Sequence, residues 1–283
     1  FMLNIKSIKI NFNKKLKSIY SSEEINSIWN QWIIKELLKM KAIQYLANQE
    51  IVITQKSQAK INLVIKHLLY RKPIQYFFGY SYFKGLKFLV NNHVLIPRPE
   101  TEELVDHVLA HVKDNKIKKI IDIGTGSGCI SIALKKKLNI DITAVDYSEK
   151  ALDVAFKNAQ FHRVSIDFKL INILDISHHQ SLPKVDLIFS TPPYVLKKEV
   201  SLGSVVLSEP HDAIFVNEED PFVFYKAICQ FAKANLNQGG KIFFEINSQL
   251  VFQLIEVIKS LGFSCVEIRH DFFEKKRFII VSY

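Results

Sequence analysis

The run Ile120-Ile121-Asp122-Ile123-Gly124-Thr125-Gly126-Ser127-Gly128-Cys129-Ile130 reads as a strand, a glycine-rich turn and the start of a helix. Glycine reaches positive φ at no steric cost and lets a ligand approach the backbone, while the first N–H groups of a helix lack intrahelical partners. About one βα unit later Asp146 closes the next strand-like run, placed to bind ribose hydroxyls. Strand, glycines and acid in this register predict nucleotide or nucleoside binding. A turn serving only helix–sheet packing is the plainer alternative. A dinucleotide site would show Gly-x-Gly-x-x-Gly, whereas here the spacing is Gly124-x-Gly126-x-Gly128.

On both sides of this stretch the pattern alternates. Strand-like runs cover 118–123, 141–145, 165–170, 185–190 and 241–246, with helical spacing at 129–137, 149–162, 221–235 and 249–261. Strands alternating with helices predict a parallel, doubly wound sheet, and the last runs, near 264–270 and 277–282, predict an antiparallel hairpin at its end. Residues up to about Arg71 read as a small helical bundle. They include a helix near 5–19, a helix opened by the capping box of Ser21 and Glu24, and one after Ser57. Pro73 should end the helical region. The aromatic run from Tyr76 to Val90, with Lys84-Gly85 at its turn, predicts a β-hairpin. The expected domains are a helical domain at 1–75, a hairpin linker at 76–95 and a catalytic domain at 96–283.

The chain has 283 residues, 48% hydrophobic and 23% charged, enough for real cores and not the composition of a disordered chain. A net charge of +10 suits an anionic partner such as nucleic acid, or simply a lysine-rich surface. Cys129, Cys229 and Cys265 have no paired spacing for metal or disulfide. With no run long enough to span a bilayer and no signal-peptide order at the N-terminus, a soluble, cytoplasmic protein is expected. His178-His179 read as solvated loop residues.

The second chemical signal is Val185-Asp186-Leu187-Ile188-Phe189-Ser190-Thr191-Pro192-Pro193-Tyr194. Proline fixes φ and donates no hydrogen bond, and it pushes the preceding residue toward extended backbone. The strand therefore ends in a stiff corner with free carbonyl oxygens and a flat ring, where ligands bind in open α/β sheets. An ordinary proline-rich turn is the plainer reading of the corner alone.

With Asp122, the Gly124–Gly128 spacing resembles the S-adenosylmethionine loop of class I methyltransferases, and Thr191-Pro192-Pro193-Tyr194 resembles the corner of enzymes that methylate planar nitrogens. From Pro73 onward the chain resembles the PrmC/HemK family, protein-glutamine methyltransferases acting on peptide chain release factors. The run Val94-Leu95-Ile96-Pro97-Arg98-Pro99-Glu100-Thr101-Glu102, together with Pro73-Ile74-Gln75-Tyr76, Gly79 and Glu209-Pro210, carries that resemblance.

The resemblance implies a class I S-adenosylmethionine-dependent methyltransferase, a Rossmann-like seven-stranded α/β fold with a small N-terminal helical bundle. Its donor would be S-adenosyl-L-methionine, leaving S-adenosyl-L-homocysteine, with no metal required. It implies cofactor contacts at Asp122, Gly124, Thr125, Gly126, Ser127, Gly128, Asp146, Asn172, Ile173 and Thr191. The side-chain amide of a glutamine in a Gly-Gly-Gln loop would lie against Thr191, Pro192, Pro193 and Tyr194. Of these, Thr191, Pro192 and Tyr194 would be catalytic, and the partners would be release factors met by a monomer.

Four positions depart from the family pattern, and at one of them Asn172 stands for aspartate. Thr191 stands for asparagine, so one hydroxyl replaces an acceptor and a donor, and a weakened site is expected. Asn247 stands for glycine, and the glycine expected between Asp271 and Arg277 is replaced. A nucleic-acid amino-methyltransferase and a catalytically silent cofactor-binding homologue remain alternatives.

Overall fold

The computed structural model describes residues 4–48, 50–114 and 116–283; Phe1–Leu3, Gln49 and Asn115, which fall in the expected domains, lie outside the described residues. The chain divides into two compact units, Phe1–Phe78 with Gly203–Ser208, and Gly79–Leu202 with Glu209–Tyr283.

In the first unit α1 (Ile5–Leu16) buries Ile5, Ile8, Phe12 and Leu16, one stripe of a 3.6-residue helix. The capping box opens α2 (Ser22–Ile28), with Ser21 N–H donating to Glu24 at 2.8 Å and Glu24 N–H to Ser21 Oγ at 3.2 Å. The helix runs on in π form over Trp29–Leu37, burying Trp29, Trp32, Ile33 and Ile34. The short α3 (Ala42–Ala47) buries none of its residues and so left no apolar stripe to read. Thr54, not Ser57, caps α4 (Gln55–Leu69): its hydroxyl accepts the Ser57 N–H at 3.1 Å. Pro73 does not end the helical region, because α5 (Ile74–Phe78) follows it and makes Tyr76–Phe78 helical. Proline suits a first helical turn, where its missing N–H costs nothing. Gly203–Ser208 joins this unit through Arg71, whose guanidinium bonds the Gly203 carbonyl and whose carbonyl accepts the Ser208 hydroxyl at 3.0 Å.

The second unit begins with the hairpin β1 (Tyr80–Phe83) and β2 (Leu86–Leu89). Lys84 and Gly85 both have positive φ, 50° and 73°, as a two-residue hairpin turn demands. Then come α6 (Thr101–Asp114), β3 (Lys119–Ile123), α7 (Cys129–Lys135), β4 (Asp141–Asp146), α8 (Glu149–His162), β5 (Asp167–Leu170) and β6 (Val185–Ser190). The chain finishes with α9 (Val223–Asn235), β7 (Leu236–Glu245), α10 (Val251–Ser260), β8 (Cys265–His270) and β9 (Lys276–Ser282). The expected seven-stranded sheet forms in the order β5-β4-β3-β6-β7-β9-β8. Its first five strands are parallel, and β9 runs antiparallel to both neighbours. β7 starts earlier than its apolar run, passing through Gly239-Gly240. A Cβ on Gly240 would come within 2.8 Å of the Asp186 carbonyl oxygen, so only glycine fits where β6 and β7 bulge together.

The central strands are buried on both faces, and the two-residue period divides their side chains. Ile121, Ile123, Ile188, Ile242 and Phe244 pack with Ile228, Phe231 and Leu254 of α9 and α10. Ile120, Leu187, Phe189 and Phe243 pack with Leu104, Val105, Val108 and Ile132 of α6 and α7. This doubly wound burial leaves the carboxyl ends of β3, β4, β5 and β6 along one edge, with the strand order reversing between the neighbours β3 and β6.

Candidate active site

Four turns leave that edge and enclose one cavity of ≈ 360 Å³, within the usual size of small-molecule sites. After β3 the turn places Gly124, Gly126 and Gly128 at φ 80°, 54° and 77°. A Cβ on Gly124 or Gly126 would meet no atom within 4 Å, so the backbone there faces open space. A Cβ on Gly128 would press on Ala155 Cβ at 3.1 Å and Ile132 Cδ1 at 3.2 Å. That glycine therefore serves the packing of α7 on α8.

Asp122 lies beneath the turn, 2% exposed and outside the cavity wall. One of its oxygens accepts both the Thr125 hydroxyl at 2.7 Å and the Ser131 hydroxyl at 2.6 Å, pinning turn to helix. Burial pushes its carboxyl up to about 7 against the pull of those two hydroxyls. Asp146 ends β4 and lines the cavity, its Oδ2 accepting the Gly126 N–H at 2.9 Å and its Oδ1 the Ser148 N–H at 3.0 Å. Burial raises its pKa too, with the backbone N–H groups opposing.

Gly124, Thr125, Gly126, Ser127, Asp146, Asn172, Ile173, Thr191, Pro192 and Pro193 all line the cavity, so ten of the residues singled out in the sequence meet there. Asp122, Gly128 and Tyr194 do not line it. Asn172 is exposed and its side-chain oxygen is taken by the Leu174 N–H at 3.0 Å, so what it offers a ligand is its amide donor. The Tyr194 hydroxyl donates to Glu245 Oε1 at 2.8 Å, so it is engaged within the protein.

Several residues in or behind the wall have contacts that the sequence did not reveal. Glu209 accepts the Ile96 N–H at 3.0 Å and pairs with Arg98 Nη2 at 2.6 Å, clamping the Ile96-Pro97-Arg98 wall. Both residues stood in noted motifs, but their pairing did not. The Tyr147 hydroxyl donates to Asp212 Oδ2 at 3.0 Å, joining two further segments of the wall. His179 corrects the reading of a solvated pair. It is buried, its Nε2 lies 2.8 Å from the Ile173 carbonyl oxygen, and it meets Phe231 edge-on, so it braces the adjoining turn. Asn247 is not in the left-handed region, so the backbone there does not demand glycine. Between Asp271 and Arg277, Glu274 takes the left-handed conformation at φ 58° and closes the turn expected to need glycine.

Residues 101–209 match the family described as Methyltransferase small domain. The chain is 37% identical over 286 residues to the Release factor glutamine methyltransferase of Flavobacterium psychrophilum, covering 99% of each chain. It is 36% identical over 273 residues to the protein of the same name from Bacteroides thetaiotaomicron, covering 95% of this chain and 96% of that one. Among solved structures, the hMettl16 catalytic domain in complex with the MAT2A 3′UTR hairpin 6 aligns with a TM-score of 0.53 at 18% identity, over 70% of this chain and 76% of that one. At that identity the likeness is one of fold alone. With the strand order, it identifies the class I S-adenosylmethionine-dependent methyltransferase fold.

Proposed function

Because the chain belongs to the release factor glutamine methyltransferase family, we propose that it methylates the side-chain amide nitrogen of the glutamine in the Gly-Gly-Gln loop of peptide chain release factors. The observation that carries the reading is the opening of the glycine turn and the Thr191–Pro193 corner onto one cavity. Had they faced different sides of the sheet, no donor on one could reach an acceptor on the other.

The residues present fit S-adenosylmethionine. Left-handed glycines with open space above them admit a ligand against the backbone, Asp146 offers carboxylate oxygens, and Ile173 with Val145, Ile171 and Ile228 forms an apolar wall for a flat ring. When bound, that group supplies an electrophilic methyl on a sulfonium sulfur. Gly124–Ser127 and Asp146 would hold it, with Asp122 and Gly128 setting the shape of the turn.

A carboxamide nitrogen is a weak nucleophile because its lone pair is delocalised into the carbonyl, so positioning dominates. The Thr191 hydroxyl and the Pro192 carbonyl oxygen accept the two N–H hydrogens, one of which leaves the nitrogen as a proton to solvent as its bond to the methyl carbon forms, and Tyr194 braces that corner from outside the cavity wall. Glutamine's own carbonyl gains less from Thr191 than from a carboxamide, because threonine offers one shorter arm. The site is therefore a weakened form of the family's. The protein works in the cytoplasm, where release factors are made; among the described residues no helix is long and apolar enough to cross a membrane.

The test is transfer of labelled methyl from S-adenosylmethionine onto purified release factor, with mass spectrometry of the Gly-Gly-Gln peptide. A mass gain of one methyl on that glutamine is expected. Cofactor binding by calorimetry without any transfer would overturn the reading in favour of a silent homologue.

A further inference from the structure

Glu245 closes β7 and is 3% exposed. The parallel register pairs Ser190 with Phe244, which sets Glu245 abreast of Thr191, the first residue of the proline corner. Its carboxylate accepts the Tyr194 hydroxyl on Oε1 and the Thr101 hydroxyl on Oε2, both at 2.8 Å. Its backbone carbonyl accepts the Tyr225 hydroxyl at 2.9 Å, so the carboxylate's own anchor is held too. Two residues on, Asn247 Nδ2 donates to the Tyr194 carbonyl oxygen at 3.1 Å and to the Glu199 carboxylate at 3.1 Å. The Asn247 oxygen accepts the Gln249 N–H at 2.9 Å, which fixes the orientation of its amide.

Tyr194 is thus gripped at both ends by the end of one strand, at its hydroxyl by Glu245 and at its carbonyl by Asn247. Burying a carboxylate is costly, and packing alone would be served better by an apolar side chain. Desolvation raises the Glu245 pKa, while the two hydroxyls and the charge of Arg277 oppose the rise. The backbone of Asn247 is not left-handed. Its side chain, not its backbone freedom, is what the site uses.

We propose that Glu245 and Asn247 are positioning residues that fix the ring of Tyr194 behind the cavity wall, and through it the Thr191–Pro193 corner against which the flat amide of the substrate lies. The proposal rests on the reading of function above and names residues outside the cavity wall that govern it. Through Thr101, the first residue of α6, Glu245 also ties the corner to the segment that carries Arg98.

The test compares Glu245→Ala, Glu245→Gln and Asn247→Gly in the full chain. Methyl transfer gives kcat and KM for release factor, calorimetry gives cofactor affinity, and crystal structures give the ring position. A displaced ring should lower kcat about 10- to 100-fold with cofactor affinity unchanged, since misplacement near 1 Å can cost that much. Glu245→Gln, which keeps an oxygen for the tyrosine, should recover most of what Glu245→Ala loses. Asn247→Gly, a half-buried change that leaves the carboxylate in place, should cost about 10-fold in kcat. An unchanged kcat in Asn247→Gly and Glu245→Ala would overturn the proposal. So would a parallel loss of kcat, cofactor affinity and thermal stability, which marks general support of the fold. If the unaltered protein transfers no methyl to release factor, the reading of function fails separately. The crystal structures then decide, and a Tyr194 ring unmoved in both variants overturns the proposal.

Discussion

The N–H of Gly126 donates to Oδ2 of Asp146 across 2.9 Å, so the turn after β3 and the acid at the end of β4 form one rigid corner of the cavity. Two glycines two residues apart in that corner have different duties. Gly126→Ala adds a methyl over open space at φ 54°, with strain of about 1–2 kcal/mol, and should mainly cost cofactor affinity. Gly128→Ala adds the same strain plus contacts at 3.1 and 3.2 Å and should mainly lower the melting temperature. Calorimetric titration and thermal unfolding of both variants separate the two duties.

Asp122 predicts a pH dependence of known sign. Its pKa rises from 3.8 to about 7 on folding, so between those values the native state holds a proton that the unfolded chain has released. Its contribution therefore falls as pH climbs from about 4 to about 7, and is least favourable above that range. Asp122→Asn keeps an oxygen able to accept both hydroxyls, since both now bond a single oxygen. The variant should match the parent near pH 3, below the unfolded value, and exceed its stability at pH 8. Denaturant unfolding across this range checks it, and a constant difference would refute the assignment.

Glu209 is buried, with its side chain 2% exposed, while that of its partner Arg98 is 33% exposed. Arg98→Ala leaves a buried carboxylate short of its cation and should destabilise by about 1–3 kcal/mol, less than a fully buried pair because water reaches the arginine. Glu209→Gln retains an acceptor for the Ile96 N–H and should cost less. Chemical unfolding of the two variants tests the order.

Thr191→Asn restores a carboxamide at the corner. A gain in kcat on release factor of about 10²–10³-fold is expected, the usual size of one well-placed polar contact. Cofactor affinity should change little. Equal or slower transfer by the variant would show that threonine is no handicap.

Glu274 adopts φ 58° in a turn closed by the Asp271 carboxylate, which accepts N–H groups of Phe273 at 2.9 Å and Lys275 at 3.0 Å. Glu274→Gly removes a left-handed side chain and should stabilise by about 0.5–1 kcal/mol after the entropy cost of glycine. Methyl transfer should be unaffected. The melting temperature reports the change.

Much of this protein was readable in the chain because its signals are local. The apolar periods of β3 and β6, the three left-handed glycines, the Ser21–Glu24 cap and the double proline each act within a few residues. So the alternation of strand and helix, the seven-stranded sheet and the two halves of the site could be named from sequence. The supports of that site could not. Arg98 meets Glu209 across 111 residues, Thr101 meets Glu245 across 144, and His179 is buried against Phe231. A carboxylate or imidazole looks the same in sequence whether it faces water or a partner. Only the packing of distant segments sets its desolvation and its hydrogen bonds, and with them its role.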